Sequence, residues 1–400
     1  MTLSVQEREA LNILQVYRRT PVVFDRGEGT RLFTTEGRGY LDFISGVGVA
    51  SLGHGHTGLA DAIADQAHKL LHTSNLFFHP LQTEVATILA ARTGLDRAFF
   101  CNSGAEAVET CLKFARRYWF SQGVTGRSTY IAFRHSFHGR TMGALSVTWD
   151  DHYRAPFAPL LPNVVFADPD DIAGFEALAD DTTAAIIVEP IQGEGGVRPI
   201  SAPMAAAIEG VCARTGALLI ADEVQSGSGR TGPFLHCRTM GLTPDLVALG
   251  KALGAGVPIG VAMFSNAVAA AANPGDHGST YGGNLLACRA ALVFLDALGS
   301  ADLTASMTAA SEQLFAGLRA MQQRVPVMRD VRGAGLMIGI DLTVDAAPVV
   351  VAAFERGLLI NRTSTTVVRL LPPYIISPAD VDAALPLLED AIVAAWGTEQ

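Results

Sequence analysis

The sequence predicts an α/β protein built on a mostly parallel, seven-stranded sheet, with further short strands near both ends of the chain. Three observations carry that reading. From about Asp61 onward, helical stretches alternate with apolar runs of strand length at Ala98–Cys101, Thr129–Phe133, Val164–Ala167, Ala184–Val188, Ala217–Ala221, Leu246–Leu249 and Ile259–Phe264. Most of these runs are too continuously apolar to leave one face wet, the mark of a sheet covered by helices on both sides. Val22 to Phe43 instead alternates apolar and polar residues, with turn signals at Gly27-Glu-Gly29 and Glu36-Gly37, and reads as a small antiparallel sheet.

Length and composition set the limits. Four hundred residues with 49% hydrophobic content can bury a large core, in two domains or in one with an appendage. A net charge of −10 with no basic block makes nucleic acid and anionic membrane poor partners. The five cysteines are scattered without a CxxC pair, which argues against a disulfide framework or zinc ribbon and fits a reducing cytosol. Residues 1–19 contain no apolar core of a signal peptide, and no run of about 18 apolar residues occurs, so neither a leader nor a membrane span is expected.

Taken in order, residues 1–20 suggest an amphipathic helix with Leu11, Leu14 and Tyr17 at helical spacing. His54-Gly-His56 offers too few ligands for a metal site. After the first strand of the large sheet, Asn102-Ser-Gly-Ala-Glu106 opens a helix running through Arg117. Ser103 and Glu106 form a capping-box pattern, and a glycine-assisted helix start behind a strand is also an anion site. Phe137-His-Gly-Arg-Thr141 follows the second strand and Glu189-Pro-Ile-Gln-Gly-Glu-Gly-Gly-Val197 the fourth. Taken alone, Phe137 and Arg140 read as core and surface residues.

The fifth run delivers Asp222-Glu-Val-Gln225 to the carboxyl edge of the sheet, where open α/β sheets bind ligands. The sixth ends in Gly250-Lys-Ala-Leu-Gly-Ala-Gly256, and Lys251 has no charged neighbour between Asp245 and Asp276. A lysine at one apolar strand end and an aspartate at the next suit a Schiff base with pyridoxal phosphate, the aspartate holding the pyridine nitrogen protonated. A surface lysine beside a solvated acid is the plain alternative. Gly227-Ser-Gly-Arg-Thr-Gly232 matches GxGxxG literally, but Pro233-Phe-Leu behind it starts no helix, so a dinucleotide fold is rejected. His277-Gly-Ser-Thr-Tyr-Gly-Gly-Asn284 reads as a loop, a helix follows from about Leu285, and Gly335–Asp341 and Val367–Leu371 read as strands.

Leu218-Leu-Ile-Ala-Asp222-Glu-Val-Gln225, Gly229-Arg-Thr-Gly232 and Leu249-Gly-Lys251-Ala-Leu-Gly together resemble the class III, ornithine-type aminotransferases of the pyridoxal-phosphate fold type I superfamily, over about Tyr17 to Pro373. Within that family the pattern is nearest to the acetylornithine aminotransferases. The resemblance implies a small α+β domain made from residues 1–55 and 291–400 around a large domain at 56–290. It implies pyridoxal 5′-phosphate (PLP), with Lys251 and Asp222 as catalytic residues. Ser103, Gly104 and Ala105 would meet the phosphate, Phe137 and Val224 the two ring faces, and Gln225 the 3-oxygen. Glu223 and a partner subunit's Thr280 would complete the cofactor site. For substrate it implies Arg140 as a carboxylate clamp, with Tyr17 and Ser279 nearby. Glu194 and Arg369 would form a gate, an ordinary ion pair being the plain alternative.

The activity implied is transfer of the ω-amino group of an N-acylated ornithine to 2-oxoglutarate, in a cytoplasmic homodimer with shared sites. Ornithine, 4-aminobutyrate or succinylornithine as donor stay open, as do aminomutase, decarboxylase and a non-catalytic PLP-binding protein. Ser74-Asn-Leu-Phe-Phe78 is the segment expected to choose among donors. Two departures from the family pattern stand out, Thr57 in place of a usual proline and Ala105 where many members carry threonine.

Overall fold

A computed structural model describes residues 3–397. The first helix, α1 (Val5–Asn12), is shorter than expected. Ser4 and Glu7 cap it reciprocally, but none of its residues is buried. With no apolar face against the core, an eight-residue helix has only local bonds to sustain it, and it ends before Leu14 and Tyr17. Those two side chains stand 82% and 70% exposed, which corrects the single amphipathic face expected for residues 1–20. The first two residues of that stretch lie outside the described range.

β1 (Phe24–Glu28), β2 (Arg31–Thr34) and β3 (Gly39–Asp42) form the antiparallel sheet expected over Val22–Phe43. A distorted turn, α2 (Ser45–Gly48), leads to α3 (Thr57–Lys69), whose start is capped by the His56 ring; His54 pairs with Asp42 at 2.8 Å. α4 (Pro80–Thr93) precedes β4 (Arg97–Cys101), and α5 (Gly104–Ser121) follows it. Then come β5 (Thr129–Phe133), β6 (Val164–Ala167), β7 (Thr183–Val188), the short pair β8 (Ile191–Gln192) and β9 (Arg198–Pro199), β10 (Leu218–Asp222), β11 (Leu246–Leu249) and β12 (Gly260–Phe264).

All seven anticipated strands occur in one sheet of order β4-β12-β11-β10-β7-β5-β6. β12 is antiparallel to both its neighbours, and the others run in a common direction. Alternate residues enter two separate cores. Ile131, Phe133, Ile186, Val188, Leu219, Ala221, Val247 and Leu249 join one, while Tyr130, Ala132, Ala185, Ile187, Leu218, Ile220, Leu246 and Ala248 join the other. That division is the direct consequence of period-two side-chain geometry in a sheet with helices on both faces.

Beyond a long helical stretch lie β13 (Met328–Ala334), β14 (Met337–Leu342), β15 (Leu358–Leu359), β16 (Asn361–Arg362) and β17 (Val367–Leu370). β13-β14-β17-β16 make a second four-stranded sheet, and β15 pairs parallel to β3, so segments from both ends of the chain share a sheet. No helix among the described residues is long and apolar enough to cross a membrane.

The Gly229-Arg-Thr-Gly232 motif has a packing role. Arg230 is fully buried, donates from Nη1 to the carbonyls of Leu336 (3.2 Å) and Pro372 (2.5 Å), and lies 4.5 Å from the Tyr374 ring centroid. It staples the turn after β10 to the C-terminal segments. Arg230→Ala leaves two buried carbonyls without that donor and a hole beside Tyr374, so it should destabilise the protein by about 3 kcal/mol, read from denaturant unfolding.

Candidate active site

The carboxyl ends of β5, β7, β10 and β11 converge on one cavity of about 270 Å³. Its walls include Phe137, His138 and Arg140 from the loop after β5, Glu189 after β7, Asp222, Val224 and Gln225 at and after β10, and Lys251 after β11. Gly104 and Ala105, the first residues of α5, close another side.

Asp222 ends β10 nearly out of solvent. Its Oδ2 lies 2.7 Å from His138 Nδ1, and its Oδ1 accepts the Val224 N–H at 3.1 Å. His138 is itself buried, and its Nε2 has no partner. Lys251 holds a left-handed φ of +41°, a conformation that costs a non-glycine residue and clusters at functional sites. Burial pulls its ammonium pKa down, with Glu194 the strongest opposing influence.

At the start of α5 the backbone approaches closely. A Cβ on Gly104 would come within 2.4 Å of Val224 Cγ1, and one on Gly139 within 2.8 Å of Ala105 Cβ. The Ser103 hydroxyl accepts the Glu106 N–H at 3.2 Å, but the Glu106 carboxylate takes the Asn102 N–H (2.6 Å) and side-chain amide (3.0 Å). The anticipated capping box therefore forms with its return arm shifted to Asn102. Ser103 itself lies outside the cavity wall. Free N–H groups at this positive helix end suit an anion.

Phe137 donates its backbone N–H to Glu189 Oε1 at 2.8 Å. Arg140 is exposed, its guanidinium 3.4 Å from the Tyr153 ring centroid and 5.5 Å from that of Phe137. Arg369, 1% exposed in β17, donates from Nη1 to Glu194 Oε1 at 2.6 Å and to Gln225 Oε1 at 3.0 Å, and from Nε to Asn361 Oδ1 at 3.3 Å. The structure thus brings together Lys251, Asp222, Gly104, Ala105, Phe137, Val224, Gln225 and Arg140, with Glu194 and Arg369 linked to the cavity through Gln225.

Besides Ser103 and the Glu194–Arg369 pair, four residues fall outside the cavity wall. Glu223 does not line the cavity; its carboxylate accepts from the Ser226 hydroxyl (2.5 Å) and the Cys237 N–H (2.7 Å). Tyr17 does not line this chain's cavity. The Ser279 hydroxyl accepts from Gly282 N–H (2.9 Å) and Asn102 Nδ2 (3.3 Å), and Thr280 is exposed; neither reaches the cavity wall. Sequence reasoning missed His138, Glu189 and Tyr153. Glu189 carried the same mark as Asp222, an ionisable residue at the end of an apolar strand, whereas His138 lies well past the end of β5 and carried no such mark.

A family model for Aminotransferase class-III matches residues 14–392. The chain is a class-III aminotransferase. This aminotransferase is 44% identical to the acetylornithine aminotransferase of Archaeoglobus fulgidus over 382 residues, covering 96% of this chain and 98% of that one. It is 42% identical to the enzyme of the same name from Aquifex aeolicus, covering 95% and 99%. Among solved structures, the ornithine aminotransferase of Toxoplasma gondii superposes with a TM-score of 0.92 at 32% identity, covering 98% of this chain and 94% of that one. The N-acetylornithine aminotransferase of Stenotrophomonas maltophilia gives 0.84 at 34%, covering 98% and 100%.

Class-III aminotransferases work with PLP, and so does this one. The cavity fits that group: a glycine cradle at a helix N-terminus for a phosphate, with a buried carboxylate and a lysine in the same wall.

Burial drives the Glu223 carboxyl up to about 7 from an ordinary 4.5, and raises Glu189 in the same direction. A folded-state pKa above the unfolded one means the folded protein binds more protons between those values, so stability falls as pH rises from about 4.5 to 7. Glu223→Gln removes one such group and should lose less stability than wild type between pH 5 and pH 8, measured by urea unfolding.

Proposed function

We propose that this aminotransferase transfers the ω-amino group of an N-acylated ornithine, foremost N-acetylornithine, to 2-oxoglutarate, giving the semialdehyde and glutamate in arginine biosynthesis. The observation that carries this reading is the capped arginine. Arg369 is a buried cation whose charge is matched by Glu194 at 2.6 Å, close enough to the cavity to reach it through Gln225. With the cap in place the site favours an ω-amine, and with Glu194 withdrawn Arg369 can take the α-carboxylate of 2-oxoglutarate. The acetylornithine aminotransferases at 42–44% identity support the donor.

Bound PLP supplies an aldehyde for attachment and an electron-withdrawing ring. Around it the chain's own groups divide the work. The Lys251 amine, its pKa drawn down by burial, takes a proton from the donor's ω-carbon and returns one in the following step. Asp222, oriented by His138 and the Val224 N–H, sets a negative charge against the ring nitrogen. Gly104 and Ala105 would receive the phosphate at the start of α5, with Ser103 at the cap of that helix and a partner subunit's Thr280 as a further contact. Phe137 and Val224 would bound the ring, Gln225 would meet the 3-oxygen, and Arg140 would clamp the donor's carboxylate through its planar fork.

The protein acts as a homodimer with shared sites in the cytoplasm. In support, Leu70, Leu71, Leu76, Phe77, Phe78 and Tyr281 are exposed, an apolar concentration that a subunit contact would cover. Ser279 and Thr280 lie beside that surface, and Asn75 Nδ2 donates to the Ser279 carbonyl at 3.0 Å. Tyr17 and Ser279 would meet substrate from there. The division into a large domain at 56–290 and a small one from 1–55 and 291–400 is proposed on the β3–β15 pairing.

Single-turnover absorbance with N-acetylornithine, ornithine and 4-aminobutyrate tests the donor. Fastest conversion with N-acetylornithine is expected, and a faster ornithine would reassign it. Lys251→Ala should lose turnover by at least ~10²- to 10⁴-fold. Arg140→Ala should raise the donor KM roughly 10- to 100-fold, the size of a lost charged hydrogen-bond pair; an unchanged KM would place the clamp elsewhere.

A further inference from the structure

Glu189 has no role in the chemistry above, yet it lies in the cavity wall and is almost fully buried. It follows Val188 at the end of β7. The register pairing Val188 with Ala221 sets Glu189 beside Asp222 across the parallel ladder. A carboxyl group in that position without partners would be expensive, and its two oxygens are committed in two different directions. Oε1 accepts the N–H of Phe137 at 2.8 Å, and Oε2 accepts the N–H of Gly193 at 3.0 Å.

Those two N–H groups belong to the two loops that matter most. Phe137 stands at the cavity wall on the loop after β5, followed by His138 and Arg140. Gly193 immediately precedes Glu194, the cap on Arg369. Gly193 is also hemmed in, since a Cβ there would come within 2.5 Å of the Gln225 side-chain amide. One buried carboxylate thus fixes the backbone on which the ring-facing phenylalanine sits and the backbone from which the cap reaches out.

We propose that Glu189 is a positioning residue that ties the Phe137 loop to the Glu194 loop and so holds the cap on Arg369 in place while donor is bound. This rests on the gate reading of Glu194 and Arg369. Glu189→Gln is nearly isosteric but keeps only one acceptor oxygen, and it turns an NH₂ toward a backbone N–H. One of the two clamps then becomes a donor facing a donor. A loosened Gly193 lets Glu194 leave Arg369 more often, which favours α-carboxylates at the expense of ω-amine donors. A disturbed Phe137 slows both half-reactions alike and cancels in their ratio.

The test compares E189Q, the shorter but still charged E189D, and E194Q as the reference for a lost cap, each checked for folding by circular dichroism. In the holoenzyme, single-turnover efficiency with N-acetylornithine is divided by that with glutamate. In the same holoenzyme, calorimetry measures affinity for glutarate, a dicarboxylate that cannot react. E189Q should lower the ratio by about fivefold or more, the equivalent of one backbone hydrogen bond, and tighten glutarate in the same direction as E194Q. E189D should shift both readouts the same way, and serves alone if E189Q does not fold. A folded variant with either readout at its wild-type value, while E194Q moves, overturns the proposal and leaves the gate standing. Wild-type values in E194Q overturn the gate and this proposal with it.

Discussion

Keeping charge out of water at one edge of a sheet is the constraint to which the rest of the structure answers. Asp222, Glu189, Glu223 and Arg369 are all buried, most of them within a residue or two of a strand end, with Lys251 among them. Each ion in such a place costs several kcal/mol unless it finds partners. The partners are specific: His138 for Asp222, two loop N–H groups for Glu189, Ser226 and the Cys237 N–H for Glu223, Glu194 for Arg369. The loops are shaped by those obligations, and the loops in turn shape the cavity.

The constraint also explains which parts were legible in advance. The seven strands could be read because burial on both faces demands unbroken apolar runs. Lys251 and Asp222 could be singled out because each stands at the end of such a run, and the family resemblance weighed against a surface lysine beside a solvated acid. Glu223 carried the same mark, yet its carboxylate is taken up by Ser226 and the Cys237 N–H and does not line the cavity, a difference that two consecutive acids in a sequence do not reveal. His138 and Glu189 went unnoticed because their meaning lies in Asp222 and in two backbone N–H groups, contacts made between loops far apart in sequence.

At the amino end the periodicity of Leu11, Leu14 and Tyr17 was genuine, but hydrophobic spacing specifies a helix only where a surface waits to receive it. Within one chain no such surface meets them, and α1 stops at Asn12. Ser103 shows the same limit on a smaller scale. Its hydroxyl does what the motif requires, while the matching carboxylate finds the Asn102 amide a better partner.

β12 carries a further consequence. It lies between β4 and β11, and among the described residues it is the only strand that β4 pairs with. Cys101 at the end of β4 meets Gly260, so everything from α5 to β11 separates the two in the chain. During synthesis β4 emerges early and waits, its ladder groups unpaired, until residues 260–264 leave the ribosome. A long-range closure of this kind is slow, and the waiting strand is an aggregation hazard in the interval. The helix start at Gly104 and the lysine at 251 sit on opposite sides of that late insertion, so the nascent chain has no complete cofactor site to stabilise it until the insertion is made.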